Sequence, residues 1–257
     1  MFVTTAGRTN PDMIEEAKKI ALDLGCPYQE RRKKSVQTLH SLYKDDCIVF
    51  GKERLELFLL NGEEPFFFHP NSSMFRIKRL LNNEHDPFID ATGLEKGMSL
   101  LDCTLGLASD SIVASFVVGA SGKVVGTEEN KYLAYLVGRG LNSWQSGLAA
   151  MDEAMRAISV HHLSALTYLK KIPSNEFDCV YIDPMFEETI LESDGIRALA
   201  ELAAYTSVTE EFISEAKRVA RRRLVLKDHF RSKRFEHFGF SVIKRPSAKF
   251  HFGIITK

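Results

Sequence analysis

A short apolar strand, an acid, a glycine turn and an apolar helix follow one another between Met98 and Val118, and this order constrains the chain more than any other stretch. The strand Met98–Leu101 ends at Asp102, the turn Cys103–Leu107 contains Gly106, and the helix is expected from about Ala108 to Val118. A strand, tight turn and helix of this kind bring backbone N–H groups and a small-residue gap to the carboxyl edge of a parallel sheet, where α/β proteins bind nucleotides. The next strand, Lys123–Thr127, runs into Glu128–Glu129, where a carboxylate is placed to accept hydrogen bonds from ribose hydroxyls. Any βαβ unit with a polar turn has the same outline, so this stretch alone does not assign a cofactor.

The flanking sequence supplies the rest of such a sheet. Phe177–Ile182 and Leu224–Lys227 are core-type strands, and Phe240–Ile243 and Phe250–Ile255 predict a closing antiparallel pair. Helices are expected at Lys131–Trp144, Met151–Ile158, Ile196–Tyr205 and Thr209–Ala220, with a short strand at Ser159–His161. The predicted fold class is therefore α/β, a Rossmann-like sheet with an antiparallel terminal hairpin. Ahead of it, residues 1–70 predict a small α/β N-terminal unit. Strand Phe2–Ala6 leads to a helix capped by Asn10 with Pro11 first, and strands follow at Cys47–Phe50 and Leu55–Leu59. Residues 71–257 form the second domain. In it, Ser72 or Ser73 is expected to cap a helix with Met74, Phe75, Ile77, Leu80 and Leu81 on its apolar side and Arg76, Lys78 and Arg79 on its other faces. A second helix is expected near Pro87–Leu94. The run Phe66–Phe67–Phe68 reads as burial between the two units rather than an exposed stacking platform.

Charge and cysteines narrow the classes of function. With 34 Lys and Arg against 34 Asp and Glu, a uniformly basic surface is excluded. Thirteen Lys and Arg between Lys217 and Lys257 face only Asp228 and Glu236, which reads either as a phosphate-binding face or as ordinary helix and strand ends. The cluster Arg31–Lys34 reads as a solvated loop or a polyanion contact. Cys26, Cys47, Cys103 and Cys179 stand singly, as buried or reduced thiols do. His161 and His162 are adjacent on a strand and face opposite sides, so they cannot share an ion, and no metal site is expected. No apolar run approaches a bilayer span and the N-terminus lacks a signal-peptide pattern, so a soluble cytoplasmic protein is expected, without a membrane partner.

Asp183–Pro184–Met185–Phe186, at the end of the fourth strand of the second domain, is the more diagnostic motif. A carboxylate there accepts hydrogen bonds from an amino group, Pro184 stiffens the turn, and Phe186 offers a face to a planar base. An Asp-Pro turn with a core phenylalanine would look the same in isolation. Taken with Asp102–Cys103–Thr104–Leu105–Gly106–Leu107–Ala108–Ser109–Asp110, it resembles the class I S-adenosylmethionine-dependent methyltransferases. Within them the chain resembles the bacterial small-subunit rRNA guanine-N2 methyltransferase family, in an uncharacterised Firmicute branch. The resemblance covers about Ser72 to Lys257.

That resemblance implies S-adenosyl-L-methionine as cofactor and ribosomal RNA or the small ribosomal subunit as partner. It puts Asp102, Thr104, Gly106, Ser109 and Asp110 in the first cofactor loop, Glu128 and Glu129 at the ribose, and Leu163 and Ser164 beside the adenine. Asp183 would touch the cofactor and, with Pro184 and Phe186, carry the methyl transfer. Ala108 and Ser109 replace the family's Gly and Arg, which removes one cation from the loop. The same motifs serve DNA and protein-glutamine amino methylation, or an RNA-binding protein that retains cofactor without turnover. Oligomeric state and the modified nucleotide are not encoded in these motifs.

Overall fold

Asn10 and Pro11 decide where the first helix begins. The Asn10 side chain accepts from the Met13 N–H, Pro11 occupies the first helical position, and α1 runs Pro11–Asp23. The computed structural model describes residues 1–52, 54–62, 64–184, 208–246 and 248–257. Met185, Phe186, the acidic stretch Glu187 to Asp194 and the helix expected at Ile196–Tyr205 lie outside the described residues.

The described residues divide into two compact units, one of Met1–His69 and one from Pro70 onward. In the first, β1 (Phe2–Thr5) pairs parallel with β2 (Cys47–Phe50), which pairs antiparallel with β3 (Leu55–Phe58). Its small core joins Phe2, Leu39, Cys47 and Val49. Leu39 comes from α2 (Val36–Tyr43), a helix the sequence does not announce, since Leu39 is its one buried residue. Phe66 exchanges backbone hydrogen bonds with Leu57, extending this sheet by one bridge. Arg31 is drawn onto the carbonyls of Lys34 and Thr5, so the Arg31–Lys34 cluster is not a uniform solvated loop.

The second unit opens with α3 (Asn71–Leu81) and α4 (Pro87–Thr92). Two expectations for α3 are corrected. Pro70 rather than a serine stands at its N-cap, and Ser72 and Ser73 instead donate to the hydroxyl and carbonyl oxygens of Ser109. Phe75 and Leu81 are exposed, so the buried side is narrowed to Ser73 and Ile77.

The sheet then forms from β4 (Ser99–Asp102), α5 (Ser109–Val118), β5 (Lys123–Glu128), α6 (Lys131–Ser143), α7 (Ala149–Arg156), β6 (Ile158–His162), α8 (Ala165–Lys171), a helix the sequence does not announce, and β7 (Phe177–Ile182). After the undescribed stretch come α9 (Glu210–Val219), β8 (Ala220–His229), α10 (Arg234–His237), β9 (Ser241–Ile243) and β10 (Phe250–Thr256). Seven strands lie in the order β6-β5-β4-β7-β8-β10-β9. The first five are parallel, and β10 is antiparallel to both of its neighbours. This is the Rossmann-like sheet with an antiparallel terminal hairpin.

One face buries Leu101, Phe177, Val180, Ile182 and Leu226 under Leu169 of α8, Phe212, Ile213, Ala216 and Val219 of α9, and Phe235 of α10. Each such aromatic or branched side chain contributes about 1.5–3 kcal/mol by leaving water. Strand order reverses between β4 and β7. The loops after these two strands therefore open toward one crevice, where an α/β sheet holds its ligands.

Candidate active site

Asp102 ends β4 as a buried acid. Its carboxylate accepts from the Thr104 N–H at 3.0 Å and the Ser111 hydroxyl at 2.6 Å, the latter from the first turn of α5. Burial pushes its pKa up to about 7 against those hydrogen bonds, helped by the nearby charges of Asp110 and Asp183. The Thr104 hydroxyl also accepts from the Asp183 N–H at 2.6 Å. The two motif loops are thus tied together through Thr104, across the reversal point.

Asp183 follows β7, and its carboxylate meets Lys227 Nζ at 2.6 Å. Burial raises the Asp183 pKa to about 6; Lys227 opposes this, and Asp110 reinforces it. Lys227 comes from β8 and reaches Asp110 as well, at 3.4 Å. Asp110 further accepts from Arg76 at 2.5 Å and from the Tyr181 hydroxyl at 2.7 Å. Burial alone would raise Asp110, but Lys227 and Arg76, with the Tyr181 hydrogen bond, hold it well below the ordinary carboxylate range. Arg76 also forks onto both oxygens of Asp86, at 2.8 Å each. Arg76, expected on a face of α3 other than its apolar side, is an internal member of this ion network. It and Lys227 bring cations to a loop from which the family's arginine is missing.

One strand over, Glu128 ends β5 as a mostly buried acid. Its carboxylate accepts from the Asn130 N–H at 2.8 Å and from the N–H groups of Gly106 and Glu129, while burial raises its pKa against them. Gly106, whose N–H reaches Glu128, adopts a φ of +48°, a conformation glycine takes without strain. Asp102, Thr104, Asp110 and Asp183 are therefore joined in one network, and Gly106 and Glu128 in a second beside it. Ser109 faces Ser72, Glu129 is exposed, and Pro184 is buried. Leu163 and Ser164 follow β6, where the Ser164 hydroxyl caps α8 through the Thr167 N–H.

Arg76, Ser111, Tyr181 and Lys227 were not legible as site residues. A tyrosine inside the apolar run Phe177–Ile182 and a lysine ending Leu224–Leu226 were the available signals.

The donor set suits the cofactor the resemblance implies. Asp86, Asp110 and Asp183 share two cations, Arg76 and Lys227, and Asp102 is held by Thr104 and Ser111 instead, so acids outnumber cations and the site favours a cationic sulfonium and ammonium. A carboxylate has about four acceptor positions, so Glu128 can take a ribose hydroxyl beyond its three N–H donors. Among the described residues no group of His, Cys, Asp and Glu could hold a metal, and no helix is long and apolar enough to cross a membrane.

Comparisons with known proteins agree with this geometry. The chain is similar to the Bacillus subtilis protein YpiP, described as uncharacterized, at 47% identity over 254 residues, covering 99% of this chain and 98% of the relative. Its fold is similar to that of the SAM-dependent methyltransferase NGO1261 from Neisseria gonorrhoeae, with a TM-score of 0.63, 15% identity, and coverage of 100% of this chain and 96% of that one. Residues 34–239 match the family described as "Putative SAM-dependent methyltransferase". The chain belongs to this family of class I methyltransferases, and its cofactor is S-adenosylmethionine.

Proposed function

We propose that this methyltransferase acts on the exocyclic N2 amine of a guanine in small-subunit rRNA. The observation that carries the reading is Asp183, a partly buried carboxylate followed by Pro184 and tied through Thr104 to the loop after β4. When bound, S-adenosylmethionine supplies an electrophilic methyl group on a sulfonium. The guanine amine is a weak nucleophile because its lone pair is delocalised into the ring. Asp183, ionised above about pH 6, accepts the amine N–H bonds and turns that lone pair toward the methyl group. The Pro184 carbonyl offers a second acceptor. Lys227 keeps one Asp183 oxygen occupied and so fixes the direction of the other. Transfer to the amine would break the methyl–sulfur bond, its electron pair staying on the sulfur, and the surplus amine proton would leave along the hydrogen bond to Asp183. Catalysis of this kind is orientation and electrostatics, with no covalent enzyme intermediate.

In this reading Phe186 holds the base, Glu128 the ribose, and Leu163 and Ser164 flank the adenine. Residues 1–70 form an RNA-recognition unit ahead of a methyltransferase domain at residues 71–257. Glu128→Ala should weaken S-adenosylhomocysteine by about 1–3 kcal/mol in calorimetry, through loss of ribose acceptors.

Labelled methyl transfer to deproteinised rRNA, DNA and protein tests the substrate class, and mass mapping of rRNA from cells with and without the gene tests the atom. A guanine that loses one N2 methyl on deletion is the expected result. Transfer to DNA or to protein glutamine instead would overturn the RNA reading while keeping the chemistry. Cofactor binding without transfer to any of them would make the chain a binder.

A further inference from the structure

Many of the basic residues between Lys217 and Lys257 are engaged inside the fold. Arg218 reaches Glu215 and the carbonyls of Leu169 and Ile172, Arg223 reaches those of Asp90 and Ala91, and Arg234 holds Asp228. At Arg231 and Arg245 the pattern changes, and the cations lie on rings. The Arg231 guanidinium lies 5.0 Å from the Phe230 ring centroid. That of Arg245 lies 4.5 Å from Phe250 and 5.9 Å from Phe252. Phe230 is 43% exposed, Phe250 is half-buried, and Arg231 and Lys244 are exposed.

This surface is continuous with the candidate catalytic carboxylate. In the β8–β10 ladder Phe250 stands opposite His229 and Phe252 opposite Lys227, so Lys227 and Phe250 share one face of the sheet. Lys227 Nζ lies 4.9 Å from the Phe250 centroid, and the same atom holds Asp183 at 2.6 Å. The row Asp183, Lys227, Phe250, Arg245 therefore leads outward from the reacting centre. Arg245 is fixed along it: its backbone N–H donates to Nδ1 of His251 on β10, at 3.2 Å. The Phe230 N–H likewise donates to the Lys249 carbonyl. From His229 to Lys249 six Lys and Arg accompany a single acid, Glu236, and one of the six, Arg234, is held by Asp228.

We propose that this edge is the platform on which an unpaired RNA strand lies while its target base occupies the site at Asp183. The proposal rests on the RNA reading above. Exposed rings and guanidinium planes take the faces of unstacked bases, and the cations between them take the phosphates. A duplex would present neither face. The charge pattern alone would also suit an acidic polypeptide, but the interleaved rings, leading to a centre that must hold an extruded base, favour unpaired RNA.

The test is fluorescence-anisotropy binding of the full chain to an unstructured RNA oligonucleotide over a range of salt, with a polyanion lacking bases as competitor. Phe230→Ala and Arg245→Ala should each weaken RNA binding about 5- to 100-fold, as expected for a lost stacking partner. The double variant Arg231→Ala/Lys244→Ala should flatten the log–log salt slope by about 1.4, at about 0.7 per phosphate contact on a single strand. Arg245→Lys should keep the slope and still lose affinity. S-adenosylhomocysteine affinity, read by calorimetry, should stay at the wild-type value in all of them, which also shows that they fold. Unchanged RNA affinity and slope in these variants, with wild-type RNA binding intact, would overturn the platform alone. Equal competition by the base-free polyanion, with no effect of Phe230→Ala, would do the same. A wild-type chain that binds cofactor but no RNA would overturn the RNA reading and the platform with it.

Discussion

Asp178 and Asp183 bracket the same strand, and each faces a cation from β8, yet their acidities move in opposite directions. At the amino edge, Asp178 accepts from the N–H and hydroxyl of Ser99 at 2.9 Å each and from Arg221 at 3.1 Å. Burial would raise its pKa, but Ser99, Arg221 and Arg222 outweigh it and lower it. At the carboxyl edge, Asp183 has Lys227 at 2.6 Å and is still pushed up to about 6, because burial and Asp110 act together against its charge. A paired cation does not decide the state of an acid. The difference lies in what surrounds the pair: backbone donors at one edge, further carboxylates at the other. The amino edge is built for stability, and the carboxyl edge holds charge that the fold alone does not fully neutralise.

The largest expected effect separates the two directly. Asp183→Ala should lower single-turnover methyl transfer by at least about 10²–10³-fold at saturating cofactor, the scale of losing one preorganised electrostatic contact. Asp178→Asn should leave that rate near wild type. Near-normal transfer by the Asp183 variant would reduce its motif to a structural turn and erase the contrast.

The partners should differ as well. Lys227→Met leaves Asp110 and Asp183 facing each other without their shared cation, and should cost about 3 kcal/mol in urea unfolding at neutral pH. Protonation of the carboxylates relieves that repulsion, so the cost should shrink as pH falls through 6. Arg221 is half exposed, and Arg221→Met should cost no more than about 1 kcal/mol. Equal losses would mean that both edges are held in the same way.

How much of this was legible follows from distance along the chain. Asp102, Gly106, Glu128 and Asp183 were readable because each ends an apolar run or turns the chain beside one. Arg76 and Lys227 were not, because the motif acids they reach, Asp110 and Asp183, lie 34 and 44 residues away and only the closed sheet brings them together. The helices α2 and α8 were missed because they are short and bury few residues, which leaves too little of a 3.6-residue period to detect. The last two strands were expected as a pair, and they are one. That β10 inserts between β8 and β9 was not legible, since strand order within a sheet leaves no local trace.

A third measurement sharpens the contrast through pH. Asp102 and Asp183 have folded pKa values of about 7 and about 6, above the unfolded range near 4, so the folded state binds more protons in that interval. Their contribution to stability falls as pH rises from about 4 to 7. Asp178, with a lowered pKa, contributes stability above the ordinary range and loses it only in stronger acid. Asp102→Asn should therefore flatten the decline of Tm between pH 5 and 7, at about 2–4 °C per kcal/mol, and Asp178→Asn should not. A cationic cofactor favours the ionised acids, so S-adenosylmethionine affinity should rise over the same interval more than that of the uncharged-sulfur product.

The smallest expected effect concerns the backbone. At the amino edge the left-handed residues are three glycines, Gly93, Gly97 and Gly119, with φ of +62°, +85° and +65°, and Asn175 ahead of β7 with φ of +58°, asparagine being one of the few L-residues that tolerates this region. The carboxyl edge uses Gly106 and then Ala108, with φ of +60° at the N-cap of α5. An L-residue held there costs about 1–2 kcal/mol. Ala108→Gly removes that strain but gives the unfolded chain more freedom, worth about 0.4–1 kcal/mol, so the net gain should be about 0.5–1 kcal/mol in urea unfolding. Gly93→Ala runs the comparison in reverse. Its Cβ would meet the Arg223 guanidinium at 2.5 Å and disturb the contacts of Arg223 with the last carbonyls of α4, so stability should fall. If Ala108→Gly destabilises instead, the fully buried methyl group contributes more in packing than the conformation costs, and the carboxyl edge is no more strained than the amino edge.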